Sequence, residues 1–234
     1  MASIPGLLFS LTKPMDPTIP EAQFNDWYTN KHLVDTVNSG LASLAVRFKN
    51  VNPSHQWPYL ALYRLQDLAK LYNMEFMSSL PTDSPAGWGV PNSKADIRIE
   101  PRGYQLLTTL ERENAKTGVP KFVLTVEFRE SFMNAEAFVA SCQGLQLDDV
   151  GKQPGYRRSM LYQAGRSLVT QEGKAGTEFR SAEQQQPSYL VVHEFDQMPT
   201  NTFQEQGASG LWEYMAEYGT GLYRTEPVPV KVYN

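Results

Sequence analysis

The sequence predicts an α+β fold made of two similar halves, residues 1–115 and 120–234, each running strand, helix, strand, strand, helix, strand. Three observations predict it. Gln56–Leu68 (QWPYLALYRLQDL) and Gln186–Met198 (QPSYLVVHEFDQM) share a proline-bearing polar entry, a Tyr-Leu pair, an apolar run and an acidic exit. Upstream, the proline-led runs Pro5–Leu11 and Pro120–Val126 match, as do the glycine-led runs Gly40–Lys49 and Gly155–Ala164. Each half then closes in another β-favouring run, Tyr104–Leu110 and Val228–Tyr233. A strand order of this kind is the split βαβ, or ferredoxin-like, unit. The alternative is a single irregular α+β domain whose internal likeness is coincidental.

In chain order, Pro5–Leu11 is the first strand. Residues 21–37 form a helix, because Phe24, Trp27, Tyr28, Leu33 and Val34 recur at three-four spacing and Gly40 supplies a stop. Gly40–Lys49 and Tyr59–Leu65 follow as strands. Alternation in the latter puts Tyr59, Ala61, Tyr63 and Leu65 on one face, with Leu60, Leu62 and Arg64 on the other. A second helix is expected over 65–80, with Leu68, Leu71, Tyr72 and Phe76 on one stripe. The second half offers helices at 134–143, capped by Asn134, and at 211–218. Prolines at 227 and 229 put the last strand at a sheet edge. Two long stretches read as loops: 82–103, holding Pro85, Pro91, Pro101, Gly87 and Gly89, and the polar 166–186, which is loop or partly disordered. Long loops are often lids. Trp88 is the apolar residue that such a lid carries into a substrate pocket, or else it closes the edge of the core.

Composition narrows the function. With 21 basic against 25 acidic residues and a net charge of −4, the chain lacks the basic surplus expected of a nucleic-acid binder. Its apolar runs are too short to span a bilayer, and its first residues show no secretory pattern. One cysteine, Cys142, excludes an internal disulfide framework and fits a reducing, cytoplasmic setting; its place on a helical stripe with Phe138 makes it a small core residue. No phosphate-binding glycine loop, nucleophile elbow or zinc spacing appears among three scattered histidines, so nothing asks for a cofactor or metal. His55, in a Pro-rich connection, reads as surface.

The sharpest constellation is on the first helix. Phe24, Tyr28 and His32 are four apart and share one face, the one that turns toward the sheet. Such a placement puts His32 at the margin of a helix–sheet cavity, where an imidazole can exchange protons with a substrate. Asp35, one turn on, is placed to orient it. The plainer reading is a histidine capping the helix C-terminus. The internal alignment matches Tyr63 with His193 and Arg64 with Glu194. A Tyr or His on a pocket-facing strand can donate a hydrogen bond to a developing oxyanion, or simply carry its polar tip to the sheet rim. Arg47, Arg157 and Arg158, on second strands, can hold a carboxylate bidentately, or be solvated or paired with nearby glutamates.

The N-terminal 80 residues or so also resemble the EthD-like branch of the dimeric α+β-barrel superfamily, chiefly its fungal members. The likeness rests on Pro5–Phe9, on Phe24–Tyr28 with His32, on Arg47–Pro53 and on Pro58–Tyr63. The resemblance implies two ferredoxin-like units pairing their sheets into a barrel, here within one chain, and hence a monomer. It also implies cofactor-free chemistry on a polyketide-like or aromatic substrate enclosed between helices and sheet, with His, Tyr and Arg as acid, base and oxyanion partners. Carried over to this chain, the helix histidine is His32; the second half has no counterpart, which leaves one site per chain. The expected function is therefore a cofactor-independent cyclase, isomerase, dehydratase or decarboxylase of secondary metabolism. Its catalytic residues are His32, Asp35 and Tyr63, and its substrate contacts Tyr28, Phe24, Trp88 and His193. The alternatives are a non-catalytic barrel that binds a hydrophobic small molecule, or a haem-dependent relative with His193 as its proximal ligand.

Overall fold

A computed structural model of the chain describes residues 3–15, 17–80, 97–112, 115–128, 134–143, 147–170, 177–180, 187–200, 208–219 and 230–233. The first half runs β1 (Gly6–Pro14), α1 (Glu21–Trp27), a π-helical turn (Tyr28–His32), α2 (Leu33–Asn38), β2 (Leu44–Asn50), β3 (Tyr59–Leu65), a 3-10 turn (Leu68–Tyr72), α3 (Met74–Ser79) and β4 (Ile97–Arg112). The second runs β5 (Phe122–Phe128), α4 (Ala135–Ser141), α5 (Leu147–Val150), β6 (Tyr156–Thr170), β7 (Thr177–Arg180), β8 (Tyr189–Phe195), β9 (Ala208–Gly219) and β10 (Val230–Tyr233).

The strands form a ten-stranded sheet in the order β10-β4-β1-β3-β2-β9-β5-β8-β6-β7, and a further β4–β6 pairing closes eight of them into a ring. Every ladder inside that ring is antiparallel. Closure removes the open edges that a sheet of this size would otherwise expose. Within the ring the strand order β4-β1-β3-β2 is repeated as β9-β5-β8-β6, so the same arrangement occurs once in each half. The halves are sealed to one another by β2 against β9 and by β4 against β6.

Alternation sorts the side chains as expected. Leu60 and Leu62 of β3 enter the barrel with Leu7, Phe9, Val46, Phe48, Tyr162, Leu190, Val192 and Trp212. Tyr59, Ala61, Tyr63 and Leu65 point outward, into a second core formed with Phe24, Tyr28, Leu33 and Leu41. The first helical segment is thus an outer layer laid across β1, β2 and β3. It stops where expected, at Gly40, whose φ of +79° favours glycine. In the second half α4 is capped by Asn134, whose side chain accepts from Ala137 N at 2.8 Å. There α4 covers Leu161, Tyr189 and Val191 through Phe138 and Cys142. Burial pushes the Cys142 thiol up to about 12, in keeping with an inert core residue.

Several expectations need correction. Residues 211–218 are not a helix; they belong to β9, held on both sides by β2 and β5. The ring needs a strand there, and two ladders outweigh the helix-favouring Leu, Glu, Met and Ala of that stretch. Consequently the fourth ring strand of the second half is β9, whereas the C-terminal run is a short strand parallel to the end of β4. Residues 65–80 are not one helix either. Asp67 caps the 3-10 turn through Ala69 N and Asn73 caps α3 through Phe76 N, so two cap residues divide the stretch. The loop expected over 82–103 includes the start of β4 from Ile97, and 166–186 includes the end of β6 and all of β7. His55 is less superficial than expected: its ring packs on Trp212 at 5.5 Å between centroids and its Nδ1 lies 2.9 Å from Trp57 O.

Candidate functional site

Four of the residues singled out in the sequence meet in one place. Phe24, Tyr28 and His32 come down from the helical segment onto Tyr63 of β3. Ring centroids are 5.8 Å apart for Phe24–Tyr28, 4.7 Å for Tyr28–His32 and 6.4 Å for His32–Tyr63. The hydroxyls of Tyr28 and Tyr63 are hydrogen-bonded at 3.0 Å in a buried pair. The helix carrying them is widened into a π turn from Tyr28 to His32, closed by Leu33 N donating to Tyr28 O. π turns inside α-helices are often found at functional sites. Here the wider turn brings the His32 ring edge-on to Tyr28, while Trp27 stacks on it at 5.2 Å.

The floor of the cluster is Arg47, on β2. In the β2–β3 ladder Ala45 faces Tyr63 and Arg47 faces Ala61, so the arginine points to the helix side with them. It is 0% exposed. Its guanidinium carbon lies 4.4 Å from the ring centre of Tyr28, 4.5 Å from that of Tyr59 and 4.9 Å from that of Phe24. A desolvated cation over an aromatic face gains about 2 kcal/mol, which offsets part of the cost of burying it. Nη1 donates to Asn25 O at 3.3 Å, whereas Nε and Nη2 have no partner among the described residues. Glu21, which acts on Arg47 through space, is taken by Lys49 at 2.8 Å and by the Tyr59 hydroxyl. Next to Arg47, β9 inserts Met215 as a bulge between the partners of Arg47 and Phe48. Bulges of this kind are over-represented beside active sites.

Burial dominates the electrostatics. It pulls His32 down to about 4, with Arg47 adding to the effect and Asp35 opposing it, so the ring is neutral at ordinary pH. Burial also raises Tyr28 and raises Tyr63 well above the usual tyrosine range, keeping both protonated as donors. Tyr59 is pushed up to about 12, by burial first and then by Glu21. The Arg47 guanidinium is lowered by burial and supported by the surrounding tyrosines.

The remaining expected residues are placed elsewhere. Asp35 Oδ2 accepts from Lys31 Nζ at 3.0 Å and acts on His32 only through space. His193 is on β8, four strands away from β3 in either direction around the ring. Its Nδ1 is 2.6 Å from Ser159 Oγ, which is 2.8 Å from the Tyr156 hydroxyl. The ring is 1% exposed and lowered by burial to about 3. Trp88 lies outside the described residues. Arg157 and Arg158 are buried: Arg158 Nε lies 2.9 Å from Glu194, and Arg157 Nη2 donates to the carbonyls of Lys116 and Thr117. Sequence reasoning underrated Arg47. The usable signal was its place two residues after Ala45, on the outward-facing register of a strand beneath an aromatic helix face.

A separate space lies in the barrel interior. It is lined by apolar residues such as Leu7, Val46, Leu106 and Val192, with Arg64 and Glu194 at its polar end. About 50 Å³ is open to the centres of water-sized molecules, well short of the ~300–1,000 Å³ of small-molecule sites. Among the described residues no group of three or more His, Cys, Asp or Glu is arranged to hold a metal, and no helix is long and apolar enough to cross a membrane.

No family model matches the chain. Among solved structures, an anthrone oxidase-like protein superposes over 94% of both chains with a TM-score of 0.53 at 12% identity. A mutant chlorite dismutase from Candidatus Nitrospira defluvii, in complex with cyanide, superposes over 92% of both with a TM-score of 0.50 at 10% identity. The fold is an α+β barrel. At such identities the likeness speaks to the fold alone, and here one chain supplies the entire ring.

Proposed function

We propose that the protein is a small-molecule enzyme of the α+β-barrel kind, working by cofactor-independent general acid–base chemistry on a polyketide-like or aromatic substrate. The observation that carries the reading is the neutral His32 imidazole set against the Tyr28–Tyr63 hydroxyl pair and the buried Arg47 cation. A neutral imidazole takes a proton from a carbon next to a carbonyl. The electron pair released moves onto the carbonyl oxygen, where Arg47 and a tyrosine hydroxyl meet the developing negative charge. His32, now protonated, returns that proton to another carbon, giving isomerisation, or to the alkoxide oxygen formed when the enolate carbon attacks a second carbonyl of the substrate, giving ring closure. Returned to a leaving hydroxyl, the same proton completes a dehydration. The aromatic walls Phe24, Trp27, Tyr28 and Tyr59 suit a ring-bearing substrate and exclude water from the step.

The repeated strand order supports reading the chain as two ferredoxin-like halves, 1–115 and 120–234, with the site in the first and a monomer sufficient for the ring. The second half carries Leu161 at the register corresponding to Arg47, since Ala61 faces Arg47 and Val191 faces Leu161. That difference supports one acid–base site per chain. Anthrone, named in the anthrone oxidase-like neighbour, is a suitable probe because its methylene is acidified by its carbonyl through the rings. Under anaerobic conditions in heavy water the protein is expected to speed deuterium uptake at that methylene, followed by proton NMR. His32→Ala is expected to reduce the added rate about 100-fold or more with the circular dichroism spectrum unchanged. An unchanged rate in that variant rules out His32 as the base.

A further inference from the structure

The two idle nitrogens of Arg47 say more about the ligand than the acid–base reading does. Nε and Nη2 lie along one edge of the guanidinium, and their N–H bonds point the same way. The third nitrogen, Nη1, is held by Asn25 O, which fixes the plane of the group, and the rings of Phe24, Tyr28 and Tyr59 hold it from the sides. What is left over is a two-donor fork, 0% exposed, without an acceptor among the described residues and without a paired carboxylate. Buried polar groups in folded proteins nearly always have partners, so a fixed cation with two parallel donors lacking an acceptor calls for one. Two parallel N–H groups match the two oxygens of a planar carboxylate, and this bidentate contact is the strong and geometrically selective one.

We propose that the ligand of the helix–sheet layer is an aromatic carboxylate, or an equally planar two-oxygen anion, docked side-on against Nε and Nη2 of Arg47. Trp27 and His32 are only half-buried and stack on each other, and a ligand entering the layer would part them. The inference rests on reading this layer as the ligand site. It goes further in naming a charged group that the substrate carries, and it stands whether or not His32 performs chemistry.

Titration calorimetry on the full chain tests it with 2-naphthoate and its neutral isostere 2-naphthamide. Naphthoate is expected to bind at least about 10-fold more tightly than the amide, the ratio that one charge-assisted pair supplies. Arg47→Lys keeps the charge and loses the fork, and is expected to weaken naphthoate about 10-fold and the amide, whose carbonyl uses a single donor, by less. Arg47→Met is expected to abolish the preference for the anion. Equal binding of the two probes to the wild-type chain, no binding of naphthoate, or wild-type affinity in Arg47→Met each overturns the proposal. The wild-type comparison needs no variant to fold. Naphthoate binding that depends on Arg47, found together with anthrone exchange that ignores His32, retains the anion site and removes the acid–base function.

Discussion

The stability of this protein should fall steeply between neutral and mildly acidic pH, and two histidines set the size of the effect. His32 and His193 are both held uncharged by burial, at about 4 and about 3 against an ordinary 6.5. Between those values and 6.5 the unfolded chain binds a proton on each ring that the native protein does not. Stability then drops as pH falls, by about 1.4 kcal/mol per pH unit for each histidine. From pH 6.5 to about pH 5 the pair would remove about 4 kcal/mol; partial exposure of His32 reduces this to about 2–4 kcal/mol. That is a large share of the roughly 5–15 kcal/mol that holds a domain folded. Glu194 works in the opposite direction, because burial raises it and the native state takes up its proton earlier than the unfolded chain. Urea unfolding followed by tryptophan fluorescence at about pH 7 and about pH 5 measures the difference directly. His193→Gln and His32→Gln should each remove roughly half of the pH dependence. Equal stability at the two pH values, or a dependence unchanged by both variants, would show that these rings are not held neutral.

Two further substitutions probe the polar clusters on opposite sides of the ring. Tyr63→Phe removes one member of the buried hydroxyl pair but leaves Tyr28 beside the Ser10 and Thr12 hydroxyls, so it should cost only about 1 kcal/mol in urea unfolding. The same change should lower turnover about 100-fold if Tyr63 supports a developing oxyanion, and equal turnover would exclude that role. Glu194→Gln leaves Arg158 buried against an uncharged neighbour, with Glu111 3.6 Å away as its remaining carboxylate. A loss of about 3–5 kcal/mol is expected in the same assay, and a loss under about 1 kcal/mol would mean that the pair is solvated.

What could be read from the sequence was whatever local pattern alone determines. The Tyr-Leu repeat located β3 and β8, and alternation along β3 told outward Tyr59, Ala61 and Tyr63 from inward Leu60 and Leu62. The four-residue spacing of Phe24, Tyr28 and His32 put them on the sheet-facing side of their helix, where three rings and one strand tyrosine meet. What escaped was set by long-range partners. Residues 211–218 have a helical composition and become strand because β2 and β5 each need a neighbour there. Asp35 is one turn from His32 in sequence, yet Lys31 is equally near on the exposed side and takes the carboxylate. His193 aligned with Tyr63 in the repeat, and ring closure sends those two positions to opposite sides of the barrel rather than to one pocket. The weight of Arg47 came from its aromatic surroundings, which converge from α1, the π turn and β3 only once the chain has folded.

The measurement that bears most directly on the central claim is a crystal structure of the chain grown with an aromatic ketone or acid such as 2-naphthoate. Ligand density is expected between the first helical segment and the sheet, with its polar end on Arg47 and its ring within reach of His32. Density in the barrel interior, among Leu7, Val46, Tyr162 and Glu194, would contradict it and make the protein a small-molecule-binding barrel instead.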